Sequence, residues 1–392
     1  MPVRLPRIYA ITDRASAGGA ASTAHADRAA HANIAERLFR VGIRCVQVRE
    51  KDCADSDLLR EVEKVALLGR EAGARVLVND RVDVARLAAV GVHLGEDDLP
   101  ASAARAILPP ESVVGVSTHD PDAAQRAFAD ANADYVAFGP IYASPTKGIR
   151  PAAGLEALSR IAERKTKPLV AIGGLTAERL PAVFAAGADS AAMISGLLEG
   201  GRIEENARRA LDAARRTGLL GAARLFLVGF MGSGKTAVGR RVAERLGVAF
   251  VDLDEEIERA SGRTIRALFE ESGEAAFRVR ESEYLAGTAS LPRAVVATGG
   301  GSFCFEANRA AIARLGVSVA LLPPLAAVQA RLSGKTDRPL FQSPEQLARL
   351  FAERAPFYRM ASVQVNLSGA ETIEEASDRV LVALEGLERF PS

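Results

Sequence analysis

Tryptophan is absent from this sequence, and cysteine, histidine and tyrosine are scarce, at three, four and five residues in 392. Cys45, Cys53 and Cys304 are too few and too scattered for a disulfide framework or a cysteine-based zinc site, and they read as structural thiols in a reducing compartment. An excess of one charge is missing too. With 50 Lys+Arg against 49 Asp+Glu, neither nucleic acid nor an anionic membrane surface is expected as the main partner. No stretch of about 18 apolar residues runs without charges, so no membrane span is expected. Met1 to Arg7 carry two Arg and two Pro with no apolar run behind them, so no secretory signal is expected either. There is no internal repeat, and the Ala-rich run Ala15–Ala32 reads as a loop leading into a first helix. A hydrophobic content of 48% with 25% charged residues fits an ordinary globular chain, expected to be soluble and cytoplasmic. Its length exceeds what one core usually organises, which points to two domains.

Short β-branched runs recur through the first half: Ile8–Thr12, Ile43–Val48, Arg75–Val78, Val90–Leu94, Val113–Val116, Tyr135–Phe138, Leu169–Ile172 and Ser190–Ile194. Most are separated by stretches with helical spacing of apolar residues, and the gap between the third and fourth leaves room for only a short helix. Strand alternating with helix implies a parallel sheet, and eight such units in about 200 residues suit a (β/α)8 TIM barrel. After the helical pattern Ala207–Arg216, the uncharged segment Thr217–Ala223 precedes a new strand at Leu225–Gly229, and the strand spacing of the first half is lost. The expected division is a barrel over residues 1–219 and a second α/β domain over residues 220–392, the latter a P-loop domain with a parallel sheet flanked by helices.

The second domain carries the sharpest motif. Gly229-Phe-Met-Gly232-Ser233-Gly234-Lys235-Thr236 has the phosphate-binding loop pattern between a strand and the helix Ala237–Leu246. Glycines let backbone N–H groups converge on phosphate oxygens at a helix N-terminus, a lysine reaches the outer phosphates, and a hydroxyl serves Mg²⁺. Asp252 and Asp254, at i and i+2 near the end of the expected strand Ala249–Leu253, would point the same way if both lay on it. Gly299, Gly300 and Gly301 follow the expected strand Ala294–Ala297 and let a ligand approach the backbone. Arg278, Arg331, Arg338 and Arg354, with no nucleic-acid signature nearby, suggest a small anionic substrate, since guanidinium grips carboxylate in a bidentate way.

In order and spacing, the segments GFMGSGKT, DLDEEIE, GEAAFR, GGG, RLSGKTDRPL and RAPFY resemble shikimate kinase from about residue 224 to 388. The resemblance implies ATP-dependent phosphorylation of the shikimate 3-hydroxyl. It implies that Asp254 holds the shikimate hydroxyls, Arg278 and Arg354 clamp its carboxylate, and Gly299, Gly300 and Gly301 line its ring. Gly232, Ser233, Gly234, Lys235, Thr236 and Ala237 would hold the ATP phosphates, and Thr236 and Asp252 would sit at Mg²⁺. Arg338 would close over the phosphates from a lid at Arg331–Leu340, and Arg331 would stack on adenine. The adenine-side loop Ser368-Gly-Ala-Glu-Thr departs from the family pattern.

Barrel enzymes place their chemistry at the C-terminal ends of the strands. There the first half offers two themes. Gln47, Arg49, Lys51 and Lys147 are donors suited to a diphosphate, and Asp80 and Asp98, on neighbouring strands, are carboxylates suited to Mg²⁺. A second phosphate fits Gly173, Gly174 and Ser195, after strands seven and eight. His93 and His119 also stand at strand ends, where a packed structural role competes with a catalytic one.

The segments YAITDR, VQVREKD, VNDRVDVA, GVHLGEDDLP, GVSTHD, YVAFGPIYASPTK, VAIGGL and MIS are similar to thiamine phosphate synthase over residues 8–198. That family joins a hydroxymethylpyrimidine diphosphate to a thiazole phosphate and releases pyrophosphate. The resemblance implies Mg²⁺ on Asp80 and Asp98, with Arg49, Lys51 and Lys147 stabilising the leaving pyrophosphate. Gln47, Asn79 and Ser117 would orient the pyrimidine. Gly173, Gly174, Ile194 and Ser195 would seat the thiazole phosphate, with Ser144 and Thr146 nearby. Glu96 stands where the family has Gln, and Ser144 where it has Thr. Two other readings compete: a thiazole tautomerase-like barrel, which would dispense with the diphosphate and metal residues, and a non-catalytic ligand-binding barrel. The expected partners are small molecules only, with the oligomeric state left open.

Overall fold

A computed structural model describes residues 3–13, 30–143, 151–217, 224–291, 293–333 and 343–385. The expected site residues Ser144, Thr146, Lys147 and Arg338 lie outside the described residues, as does most of the Ala-rich run. The chain divides into two compact units, Met1–Thr217 and Gly218–Ser392.

The first unit is a closed parallel barrel in strand order β1 to β8, as the alternating pattern predicts. Its strands are β1 (Ile8–Asp13), β2 (Cys45–Arg49), β3 (Arg75–Asn79), β4 (Gly91–Leu94), β5 (Val114–Thr118), β6 (Tyr135–Phe138), β7 (Leu169–Ile172) and β8 (Ser190–Met193). Closure is made by β1 against β8, with Tyr9 opposite Ala192. The connection between β3 and β4 carries only the short helix Val82–Ala88. Side-chain alternation along each strand builds two cores. Ile8, Ala10, Val46 and Val48 face the surrounding helices, while Tyr9, Ile11, Cys45, Leu77, Tyr135 and Ile172 fill the barrel interior.

In the second unit a parallel five-stranded sheet runs in the order β10-β11-β9-β12-β13. These strands are β9 (Arg224–Val228), β10 (Ala249–Asp252), β11 (Ala294–Ala297), β12 (Gly316–Leu322) and β13 (Val363–Asn366). The same alternation covers both faces of the sheet. Leu225, Leu227, Val295 and Val319 pack on one side, and Phe226, Val228, Val296 and Ala320 on the other. The central strand β9 feeds the phosphate loop and the helix Lys235–Leu246, so that loop opens at the C-terminal edge of the sheet.

One glycine decides how the barrel interior fits. The ring of Tyr135, which is fully buried, occupies the space a Cβ at Gly115 would need, within 2.0 Å of the ring carbon Cζ. Gly115→Ala is therefore expected to destabilise the barrel by about 1–3 kcal/mol through overpacking. Chemical denaturation followed by a barrel-specific probe checks this.

Candidate functional site

Each unit has a cavity at the C-terminal edge of its parallel strands. The barrel cavity, about 430 Å³, gathers Gln47, Arg49, Lys51, Asn79, Asp80, Asp98 and Ser117 together with Gly173, Gly174, Ile194 and Ser195. Every described residue expected at this site is among its lining. Arg49 is held by the buried Asp13, its cross-strand neighbour on β1, through an ion pair. Asp13 was passed over in the sequence because a lone carboxylate at a strand end has no spacing signature.

Asp80 has a left-handed backbone, at φ 63°, which throws its side chain off the line of β3. Burial, together with the neighbouring Asp98 carboxylate, pushes the Asp80 carboxyl up to about 6, while Lys51 opposes the shift. Two carboxylates converging beside a lysine and an arginine are the donor set Mg²⁺ takes when substrate phosphate supplies further oxygens, so the residues fit that ion. Asp98 also accepts from the N–H of Gly95 at 2.6 Å, which fixes its orientation.

His93 is buried near the end of β4 and lines the barrel cavity. Its ring nitrogens lie 2.8 Å from the Tyr135 hydroxyl and 2.8 Å from Ser117 Oγ. His119 places Nδ1 2.6 Å from the Gly139 carbonyl and Nε2 3.9 Å from Glu96. The Glu for Gln change at position 96 thus puts a carboxylate opposite an imidazole at the cavity wall.

In the second unit a cavity of about 690 Å³ is lined by Thr236, Asp252, Asp254, Arg278, Gly299, Gly300, Gly301 and Arg354. The strand ends at Asp252, and Asp254 already lies in the helix Leu253–Ser261, so the expected shared strand face for these two carboxylates is not what brings them together. Instead Asp252 caps that helix through the N–H groups of Asp254 and Glu255, and its other oxygen accepts from Thr236 Oγ1 at 2.6 Å. This pairing of hydroxyl and carboxylate fits Mg²⁺ beside a phosphate loop.

The glycines at 299 and 301 make room for the ends of neighbouring side chains. A Cβ at Gly299 would lie 2.5 Å from Glu281 Oε1 and 2.9 Å from Asp254 Oδ1, and one at Gly301 would lie 2.5 Å from Arg278 Nη2. Arg278 and Glu281 share the helix Ile265–Gly287, beyond its kink at Gly273, and pair at 2.8 Å. Glu281 is fully buried, and burial raises its carboxyl above the ordinary value despite Arg278. Its i+3 spacing from Arg278 was visible in the sequence, but such a pair on a helix is normally a surface feature. Among the described residues, Arg278 Nε and Arg354 Nη1 are buried without hydrogen-bond partners. Unpaired buried guanidinium donors at one cavity suit an incoming carboxylate.

Around the phosphate loop, Gly229, Gly232 and Gly234 take left-handed φ values of 141°, 75° and 97°. Lys235 Nζ donates to the carbonyls of Gly229 and Phe230, and Ser233 and Ala237 flank it in the loop and first helical turn. Arg331 reaches the carbonyls of Gly232 and Gly369, bridging the loop to the segment after β13.

Two family models match the chain: thiamine monophosphate synthase at residues 8–197 and shikimate kinase at residues 231–385. A shikimate kinase of Ruegeria pomeroyi is 42% identical over 47% of this chain and 94% of its own length. A thiamine-phosphate synthase of Roseiflexus sp. is 40% identical over 53% of this chain and 84% of its own length. A shikimate kinase of Cereibacter sphaeroides is 45% identical over 40% of this chain and 80% of its own length. The chain belongs to both families. Its thiamine monophosphate synthase half is the barrel, and its shikimate kinase half is the five-stranded unit. No helix among the described residues is long and apolar enough to cross a membrane.

The raised Asp80 carboxyl has a testable sign. Its folded-state value, about 6, exceeds the ordinary 3.8, so the ionised form costs stability above pH 6 and the cost disappears as pH falls toward 4. Asp80→Asn, which tolerates the left-handed backbone, is expected to raise the Tm of the barrel at pH 8 in EDTA. The gain should shrink through pH 6 and vanish near pH 4 in calorimetric scans.

Proposed function

We propose that the chain is a bifunctional transferase with a separate site in each unit. The barrel couples hydroxymethylpyrimidine diphosphate to thiazole phosphate, giving thiamine phosphate and pyrophosphate. The second unit transfers the γ-phosphate of ATP to the 3-hydroxyl of shikimate. Membership of the two families supports both halves. The observation that carries the site assignments is that each cavity unites the cationic, acidic and glycine residues its reaction needs.

In the barrel, departure of pyrophosphate builds negative charge where Arg49 and Lys51 line the cavity beside Asp80 and Asp98. Fixed cations there lower the barrier to breaking the carbon–oxygen bond, an electrostatic contribution that needs no proton donor. Mg²⁺, when bound by the two aspartates, supplies further charge neutralisation to the diphosphate. The glycine pair Gly173–Gly174 and the residues Ile194 and Ser195 line the same cavity and suit the monophosphate of the second substrate. A tautomerase-like barrel has no use for two carboxylates and two cations in one cavity, and their convergence favours the synthase reading.

In the second unit, Arg278 and Arg354 offer unsatisfied donors to the shikimate carboxylate, and Asp254 stands against Gly299 to receive its hydroxyls. The γ-phosphate is delivered from the loop that ends in Lys235 and Thr236. Such a reaction depends on alignment and charge neutralisation more than on covalent chemistry.

Two variants separate the activities. Lys235→Ala is expected to lower shikimate phosphorylation on the order of 10²–10³-fold and leave thiamine phosphate synthesis intact, while Asp80→Asn should do the reverse. Coupled assays of both products on the full chain check this, and loss of both activities in either variant contradicts independent sites. Arg354→Ala should raise the KM for shikimate by about 10–100-fold, the value of a charge-assisted hydrogen bond, with the KM for ATP unchanged.

A further inference from the structure

A continuous line of polar groups runs through the barrel interior. Tyr9, Tyr135, Gln47 and His93 are 1%, 0%, 1% and 5% exposed, and they touch in sequence. Gln47 Nε2 donates to the Tyr9 hydroxyl, which lies 3.1 Å from the Tyr135 hydroxyl. The Tyr135 hydroxyl is 2.8 Å from His93 Nδ1, and His93 Nε2 is 2.8 Å from Ser117 Oγ. Both ends of the line, Gln47 and Ser117, line the cavity.

Proton counting gives the line a direction. The Tyr9 hydroxyl accepts from Gln47, and an amide N–H₂ cannot accept in return, so the Tyr9 proton goes to Tyr135. Tyr135 then has His93 Nδ1 as the acceptor for its own proton. A neutral imidazole that accepts on Nδ1 carries its proton on Nε2, and that proton goes to Ser117 Oγ. The Ser117 hydroxyl proton is thereby turned away from His93 and toward the cavity. We propose that Tyr9, Tyr135 and His93 are positioning residues forming a one-way hydrogen-bond chain that fixes Ser117 as a donor, so that the site selects a heteroaromatic ring presenting a nitrogen lone pair to it.

Two features keep the chain in place. Gly115 leaves room for the Tyr135 ring, and the Tyr135 and His93 rings stack with centroids 5.6 Å apart and planes 19° from parallel. Burial raises both phenols well above their ordinary value, so neither loses the proton the chain needs. A ring carrying N–H at that point would meet a second donor and lose its hydrogen bond. The inference deepens the synthase reading and rests on it for the identity of the ring, whereas the direction of the chain follows from the contacts, the donor role of the Gln47 amide and a neutral His93.

The test has one arm independent of activity. The full chain has four histidines, so ¹⁵N-histidine labelling gives a simple spectrum, with His93 identified by its loss in His93→Asn. Two-bond ¹⁵N–¹H correlations are expected to show His93 protonated on Nε2 and bare on Nδ1, and Tyr135→Phe is expected to mix in the other tautomer. Protonation of Nδ1 in the unmodified protein overturns the proposal. In the kinetic arm, Tyr135→Phe is expected to lower kcat/KM for hydroxymethylpyrimidine diphosphate about tenfold, mainly through KM, the value of one lost hydrogen bond. In a Ser117→Ala background the same change should cost nothing further, and an equal cost in both backgrounds overturns the proposal. Tyr9→Phe serves as a second variant if Tyr135→Phe fails to fold, with a smaller loss in the same direction expected. If the unmodified protein makes no thiamine phosphate, the synthase reading fails while the tautomer result still decides the chain.

Discussion

Both sites depend on one constraint: every strand in each sheet runs the same way. Parallel pairing requires a crossover after each strand, and those crossovers leave all the C-terminal strand ends on one edge. In the barrel that edge brings Arg49 from β2, Asp80 after β3 and Ser117 from β5 around one cavity, although they are far apart in sequence. In the second unit the same rule places the phosphate loop after β9, Asp252 at the end of β10 and the three glycines after β11. The hydrophobic alternation that holds the strands is therefore also what assembles the chemistry.

Much of this was legible in the residues. Eight β-branched runs with helical spacers describe a barrel, and glycine followed by Lys-Thr after a strand describes a phosphate loop. Both signals are local, because strand period and loop composition repeat within a few residues. The positions of Asp80 and Asp98 were readable for a related reason, since each ends or follows a strand whose edge is known.

The buried polar partners were harder to read. Asp13 pairs with Arg49 across two strands although they stand 36 positions apart in the chain, and no periodicity links them. Tyr9 and Tyr135 look like ordinary strand aromatics, and only the closed barrel brings their hydroxyls together. Asp252 and Asp254 were readable as a pair but not in their arrangement. A helix begins between them, and the capping of that helix, rather than strand alternation, decides where each carboxylate points.

The backbone wall made by Gly299 and Gly301 has an evolutionary consequence. Because the carboxylate ends of Glu281 and Asp254 and the guanidinium of Arg278 already fill the space beside those two residues, a mutation there must displace the very groups that line the cavity. Ile265, Arg266 and Phe269, which line the same cavity, present side chains that can change size and charge one at a time. A lineage of this enzyme that drifted toward a different ring would change those residues at less cost than the glycines, where each added side chain also moves Glu281, Asp254 or Arg278.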